Sequence, residues 1–248
     1  QKHMEPWTIF KEPDQPRHRW EDERYWLWYT LFGRLGYAPD AADEIWMREF
    51  QRRFGEEHAA RLEKLYRLAS KILPLITGFH MPVHPSLCYW PEMSTGGALF
   101  AEHNYTEDYN YNSKVQKNVT YVDAEPSDPA LFSRISEYVE DHLQGRKSKK
   151  YTPLQVRDWL RTLTAEIDRT LASVDRDPKM ARHAEYQSAR HDFLMLAALA
   201  DYHVWKIVAA IEYGTYVHTK RLTHLENALA HMKRAREKWE RLTQLGGK

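Results

Sequence analysis

Across 248 residues, hydrophobic side chains make up 42% and charged ones 29%, enough to bury a core in one large domain or two small ones. The formal net charge of +1 lacks the basic excess of a general nucleic-acid binder. No apolar run approaches the roughly 20 residues of a membrane span, and one cysteine, Cys88, supports neither an internal disulfide framework nor a cysteine-rich zinc site.

The opening Gln1-Lys2-His3-Met4 reads as a remnant of expression and is set aside. Residues 1–19 carry Pro6, Pro13 and Pro16 among polar residues and form an extended leading segment; residues 20–248 are read as a single helical domain. The pattern predicts a helix from Trp20 to Leu35, with Trp20, Tyr25, Trp28, Leu31, Phe32 and Leu35 at three- and four-residue steps and Gly36 as its cap. Asp40 caps a second helix through Phe54, with Ile45, Trp46 and Phe50 inward and Gly55 closing it. A third runs from Glu56 to Thr77, kinked or cut short at Pro74.

Residues 78–127 show no sustained period. They hold four prolines, the pair Gly96-Gly97, and many Asn and Tyr residues. Their large rings argue against disorder, and a stretch of this length inside a domain is read as an ordered functional loop. Asp128-Pro129 then starts a helix to Gln144, closed by Gly145 and followed by the basic run Arg146 to Lys150. Thr152-Pro153-Leu154-Gln155 is a capping box opening a helix to Val174. After the Asp177-Pro178 break, a long helix spans Ala181 to Thr219; its stretch from Phe193 to Ala200 is apolar all round and belongs at the centre of the core. A second capping box, Thr223 to Glu226, opens a last helix to Leu245 with Leu225, Leu229, Met232, Ala235 and Trp239 inward. The fold class is therefore all-α: an irregular bundle of about seven helices, one long loop, and a tetratricopeptide-like C-terminal hairpin without a regular repeat.

Searches for catalytic patterns fail. No histidine has Glu three residues before it, so the di-iron Glu-x-x-His pattern is missing; so are His-Glu-x-x-His, Gly-x-Ser-x-Gly and the phosphate-cradling glycine loops. Cys88 reads as a small buried hydrophobe, and His203 as a core histidine. His224 and His231, seven apart on one helix face, and His80, His84 and His103 could bind a metal only if folding gathers them. The expectation is no metal and no cofactor. Most tryptophans are assigned to the core, but Trp26 and Trp28 cannot share a face, so one of them, Tyr25 or Tyr29 should point outward.

The loop combines rings with hydrogen-bonding groups. Sugars present apolar C–H faces and hydroxyl edges, so a site for them needs flat rings beside carboxylates and amides. Tyr89, Trp90, Glu92, His103, Tyr105, Tyr109 and Tyr111 fit that need and are the candidate ligand-binding residues. Glu92 and Asp108 are a conceivable carboxylate pair, but loop spacing fixes no distance between them. The competing reading is a loop that packs on a neighbouring domain.

Three stretches carry a resemblance: Arg24 to Tyr29 running into Leu31 to Tyr37; Ile72 to Thr77 with Tyr89 to Met93; and Leu199 to Lys206. Together they resemble the helical C-terminal region that follows a catalytic barrel in large bacterial glycoside hydrolases. The resemblance implies a secreted or periplasmic, polysaccharide-degrading parent and a neighbouring catalytic domain as partner, with no catalytic residue in this chain. The resulting expectation is a non-catalytic glycan-contacting accessory module, with a purely structural helical domain as the alternative.

Overall fold

The computed structural model describes residues 20–79, Leu99 and 120–247. Among these the architecture is all-α, as expected, with an isolated bridge between Phe132 and Tyr151 in place of any sheet. The helices are α1 (Glu21–Arg24), α2 (Trp26–Tyr37), α3 (Glu44–Phe54), α4 (Glu56–Ala69), α5 (Ile72–Phe79), α6 (Ile135–Leu143), α7 (Pro153–Val174), α8 (Pro178–Ala181), α9 (Ala184–Thr219) and α10 (Leu222–Leu245). The chain divides into two compact units, one of residues 1–68 and 167–194, the other of 69–166 and 195–248.

The first unit is built on a chain of edge-to-face rings. Trp26 meets Phe50 at 5.1 Å, Phe50 meets Tyr66 at 5.6 Å, and Tyr66 meets Phe193 at 5.0 Å between ring centres. Each contact places the positive edge of one ring on the negative face of the next. The Arg53 guanidinium lies 4.4 Å above Trp26 while pairing with Glu185 at 2.9 Å, so its charge is shared between a ring face and a carboxylate. Burial pushes the Tyr66 hydroxyl well above its usual range. Gly55, at φ 79, closes α3 as expected, because that conformation strains any residue with a Cβ.

Short polar links fix where the helices of this unit start. Asp177 caps α8 by accepting from the Lys179 N–H at 2.8 Å. His183 does the same for α9: its Nδ1 accepts from the Tyr186 N–H at 3.2 Å, which assigns the ring proton to Nε2, 3.0 Å from the Arg53 carbonyl. Asp175 takes a forked pair of hydrogen bonds from Arg190 and a third from the Tyr186 hydroxyl at 2.6 Å. Burial alone would raise the Asp175 carboxyl, but these donors outweigh it and hold the group below the usual range.

In the second unit α10 lies antiparallel to the later part of α9. Glu212 meets His224, Trp205 meets His231, and Asp201 meets Lys238, so one chain number falls as the other rises. Ala209, Ala210, Ala228 and Ala235 are buried, and small side chains allow such helices to approach closely. Gly214 extends the same logic: a Cβ there would meet Val139 Cγ2 at 3.2 Å. By length and apolar content α9 matches a membrane-spanning helix, yet 61% of its most apolar window is buried in the fold. Asp201, His203 and Lys206 interrupt it, which is why a search for unbroken apolar runs passes it by.

Several boundaries differ from expectation. The first predicted helix is two, broken at Tyr25, and it runs through Gly36 to a cap at Ala38. The second is capped at Asp43 rather than at Asp40. The third breaks at Ser70-Lys71, and Pro74 sits in the first turn of α5, where its missing N–H costs nothing. Asp128 caps only a single turn, accepting from Ala130 and Leu131; the Phe132–Tyr151 bridge then draws the chain out, so α6 begins at Ile135. The box at Thr152 forms as read, with Thr152 and Gln155 each bonding the other's backbone N–H. The box at Thr223 does not, because α10 is capped two residues earlier, at Arg221. The buried positions of α10 are Ala228 and Ala235; Leu225, Leu229 and Trp239 are exposed. Trp20 and Trp159 are also exposed, against their assignment to the core.

Candidate functional site

The expected site residues Tyr89, Trp90, Glu92, His103, Tyr105, Tyr109 and Tyr111 lie outside the described residues, as do Cys88, His80 and His84. Among the described residues an open cleft of about 550 Å³ lies in the first unit, between α2 and α3. Its lining is Tyr29, Thr30, Gly33, Arg34 and Tyr37 from α2, with Ile45 and Glu49 from α3.

Helix periodicity explains the lining. Tyr29, Gly33 and Tyr37 stand four residues apart and form one stripe, with Thr30 and Arg34 beside it. Between the two tyrosines Gly33 leaves open space, a Cβ built there meeting nothing within 4 Å. Tyr37 is 93% exposed, so its ring is presented rather than packed. On the opposite wall the Glu49 carboxylate is gripped by Arg52 at 2.7 Å and approached by Arg53 at 3.7 Å. The hydrogen bond from Arg52 holds the Glu49 carboxyl below its usual range, so it stays ionised and accepts hydrogen bonds at neutral pH.

Outside the cleft the same helix carries a second ring pair. Trp28 and Phe32 stack in parallel at 5.2 Å, and Tyr29 meets Trp28 edge to face at 4.8 Å. Trp28 is 57% and Phe32 70% exposed, whereas Trp26 is 5% exposed. The rule that residues two apart face different ways holds, and Trp28 is the outward ring. Sequence reasoning missed this site; the available signal was the Tyr29–Gly33–Tyr37 stripe on a helix with aromatic residues on every face.

Other clusters are accounted for by structure alone. Glu57, His58 and Asp177 bring ligand-type atoms within 4.8 Å of one another, the donor set of a divalent cation. Yet Asp177 gives one oxygen to the α8 cap and the other to His58 Nε2 at 2.8 Å. The backbone N–H of Lys179, followed by His58, keeps that carboxyl below its usual range, so His58 is the donor and no ion is needed to explain the contact. His224 Nδ1 contacts Glu212 at 2.7 Å, while His231 stacks on Trp205 at 5.7 Å, so the two go to different partners. His203 is buried as expected. Lys206 is also fully buried, its ammonium 4.1 Å from the Tyr121 ring centre and 5.4 Å from that of Tyr202. In the basic run, Arg146 pairs with Asp141 and Lys150 with Glu137, while Lys147 and Lys149 are exposed.

No family model matches the chain, and no curated protein does. Among solved structures it is similar to one described as a GH138 enzyme targeting pectin rhamnogalacturonan II. The TM-score is 0.73 at 17% identity, over 97% of this chain and 27% of that one. The chain therefore spans about a quarter of that enzyme, and its fold is one found within a glycoside hydrolase.

Proposed function

We propose that this chain is a non-catalytic accessory module of a polysaccharide-degrading enzyme, which contacts glycan while a neighbouring domain of the same parent carries the catalysis. The observation that carries this reading is the shared fold, which covers 97% of this chain but only 27% of an enzyme described as acting on a pectic polysaccharide. The glycan contact is assigned to Tyr89, Trp90, Glu92, His103, Tyr105, Tyr109 and Tyr111, whose rings and polar groups match a sugar's two kinds of surface. The parent is taken to be a bacterial secreted or periplasmic protein, in line with the resemblance noted above.

Affinity electrophoresis through gels containing pectic polysaccharide tests the reading. The wild-type chain is retarded and Trp90→Ala is retarded less, with unchanged far-ultraviolet circular dichroism. Equal mobility of the two in every gel overturns the loop assignment. A second reading, a structural domain that mediates protein contacts, is favoured by the exposed Trp28–Phe32 pair. It predicts a partner-dependent loss of exposure at Trp28 and no glycan retardation.

A further inference from the structure

The cleft between α2 and α3 has features that packing does not explain. Glycine is among the poorest helix formers, and Gly33 sits inside α2 rather than at its end. Such a residue is usually retained for a close backbone approach or a left-handed conformation. Gly33 has neither: no atom lies within 4 Å of its missing Cβ, and its φ is not positive. It lines the cleft between Tyr29 and Tyr37, with open space where a side chain would stand.

The charges around that space are unequal. Glu49 is neutralised by Arg52 and Arg53. Arg34 lines the same cleft, is exposed, and forms no ion pair with any carboxylate among the described residues. The cleft thus presents two tyrosine rings, a hydroxyl from Thr30, an acceptor already in use at Glu49, and an uncommitted guanidinium. Tyrosine faces suit the C–H face of a pyranose, and a guanidinium binds a carboxylate through a planar fork.

We infer that the α2–α3 cleft is a glycan subsite, separate from the loop, that takes an acidic sugar, with the pyranose on Tyr29 and Tyr37 and its carboxylate on Arg34. The inference rests on the reading of the chain as a glycan-contacting module, but it uses none of the loop residues. Charge complementarity selects the occupant: a second copy of the chain would favour the apolar Trp28–Phe32 face, whereas a uronic acid answers the cation beside the rings.

Isothermal titration of the full chain with an oligogalacturonate, and with its carboxyl-reduced neutral counterpart, tests this. Wild type binds both, and the acidic ligand more tightly. Gly33→Leu fills that space and abolishes binding in the cleft while the melting temperature stays equal or rises, so loss of fold cannot account for the result. Arg34→Gln weakens the oligogalacturonate by about tenfold, the typical worth of a charged hydrogen bond, and leaves the neutral ligand unchanged. Wild-type affinity in Gly33→Leu, or equal loss of both ligands in Arg34→Gln, overturns the cleft. Loss in Trp90→Ala with no effect of Gly33→Leu leaves the loop reading standing and removes this one; the reverse pattern removes the loop. Failure of wild type to bind either ligand removes this inference and leaves the loop reading to the pectic gels. Concentration-dependent dimerisation broken by Phe32→Asp, with no heat from either sugar, gives the face to a second copy.

Discussion

The two sides of α2 use the same residue types for opposite ends. Inward, Trp26 is locked between Phe50, Tyr66 and the Arg53 guanidinium. Outward and along the cleft, Trp28, Phe32 and Tyr37 stand largely in solvent. Aromatic content therefore says little about role; what separates the sides is whether another element arrives to cover the ring. On the inner side α3 and α4 bring Phe50 and Tyr66. On the cleft side α3 presents Ile45 and the charged Glu49, which leave a gap rather than fill it.

That contrast can be broken by mutation. The largest effect belongs to the inner side: Phe50→Ala removes the ring touched by both Trp26 and Tyr66 and costs about 3–5 kcal/mol in urea unfolding, the usual range for a buried aromatic. Next is Asp175→Ala, which strips the acceptor from the Tyr186 hydroxyl and the Arg190 fork and costs about 1–3 kcal/mol. Asp175 also sets a pH dependence. Its carboxyl is lowered in the folded state, so its contribution is complete at neutral pH and is lost as the pH falls below the ordinary carboxylate range. Acid unfolding of Asp175→Asn, followed by circular dichroism, should be correspondingly less steep. A smaller change of opposite sign is expected in the cleft, where Gly33→Ala stabilises by about 0.5–1 kcal/mol because the helix gains propensity and nothing clashes. The smallest effect is at Phe32→Ala, within about 0.5 kcal/mol of wild type, since the ring is mostly exposed. Equal costs at Phe50 and Phe32 would show that the two sides are not distinct.

Legibility in the sequence followed the range of the interaction. The Thr152–Gln155 box is a local device, its two hydrogen bonds closing within one turn, and it was readable directly. The central burial of α9 was readable too, because a stretch apolar on every face has nowhere else to go. The start of α6 was not, since the Phe132–Tyr151 bridge that delays it joins segments far apart in sequence. The inward stripe of α10 was misread for a similar reason: α9 approaches closely enough that alanines fill the contact, and the larger Leu225 and Leu229 are turned out. On α2 every face carries apolar residues, so periodicity alone could not tell the covered side from the open one. The proposed loop site rests on composition, with its residues outside the described structure, whereas the cleft became visible only once α3 was set against α2.

Heteronuclear chemical-shift mapping of the isotopically labelled chain against an oligogalacturonate is the sharpest test of glycan contact. The expected result is saturable shifts at the Gly33, Arg34 and Tyr37 amides and at the Trp90 indole, with the Trp26 indole unmoved. A spectrum unchanged at saturating sugar, or shifts confined to residues remote from both the cleft and the loop, would contradict it.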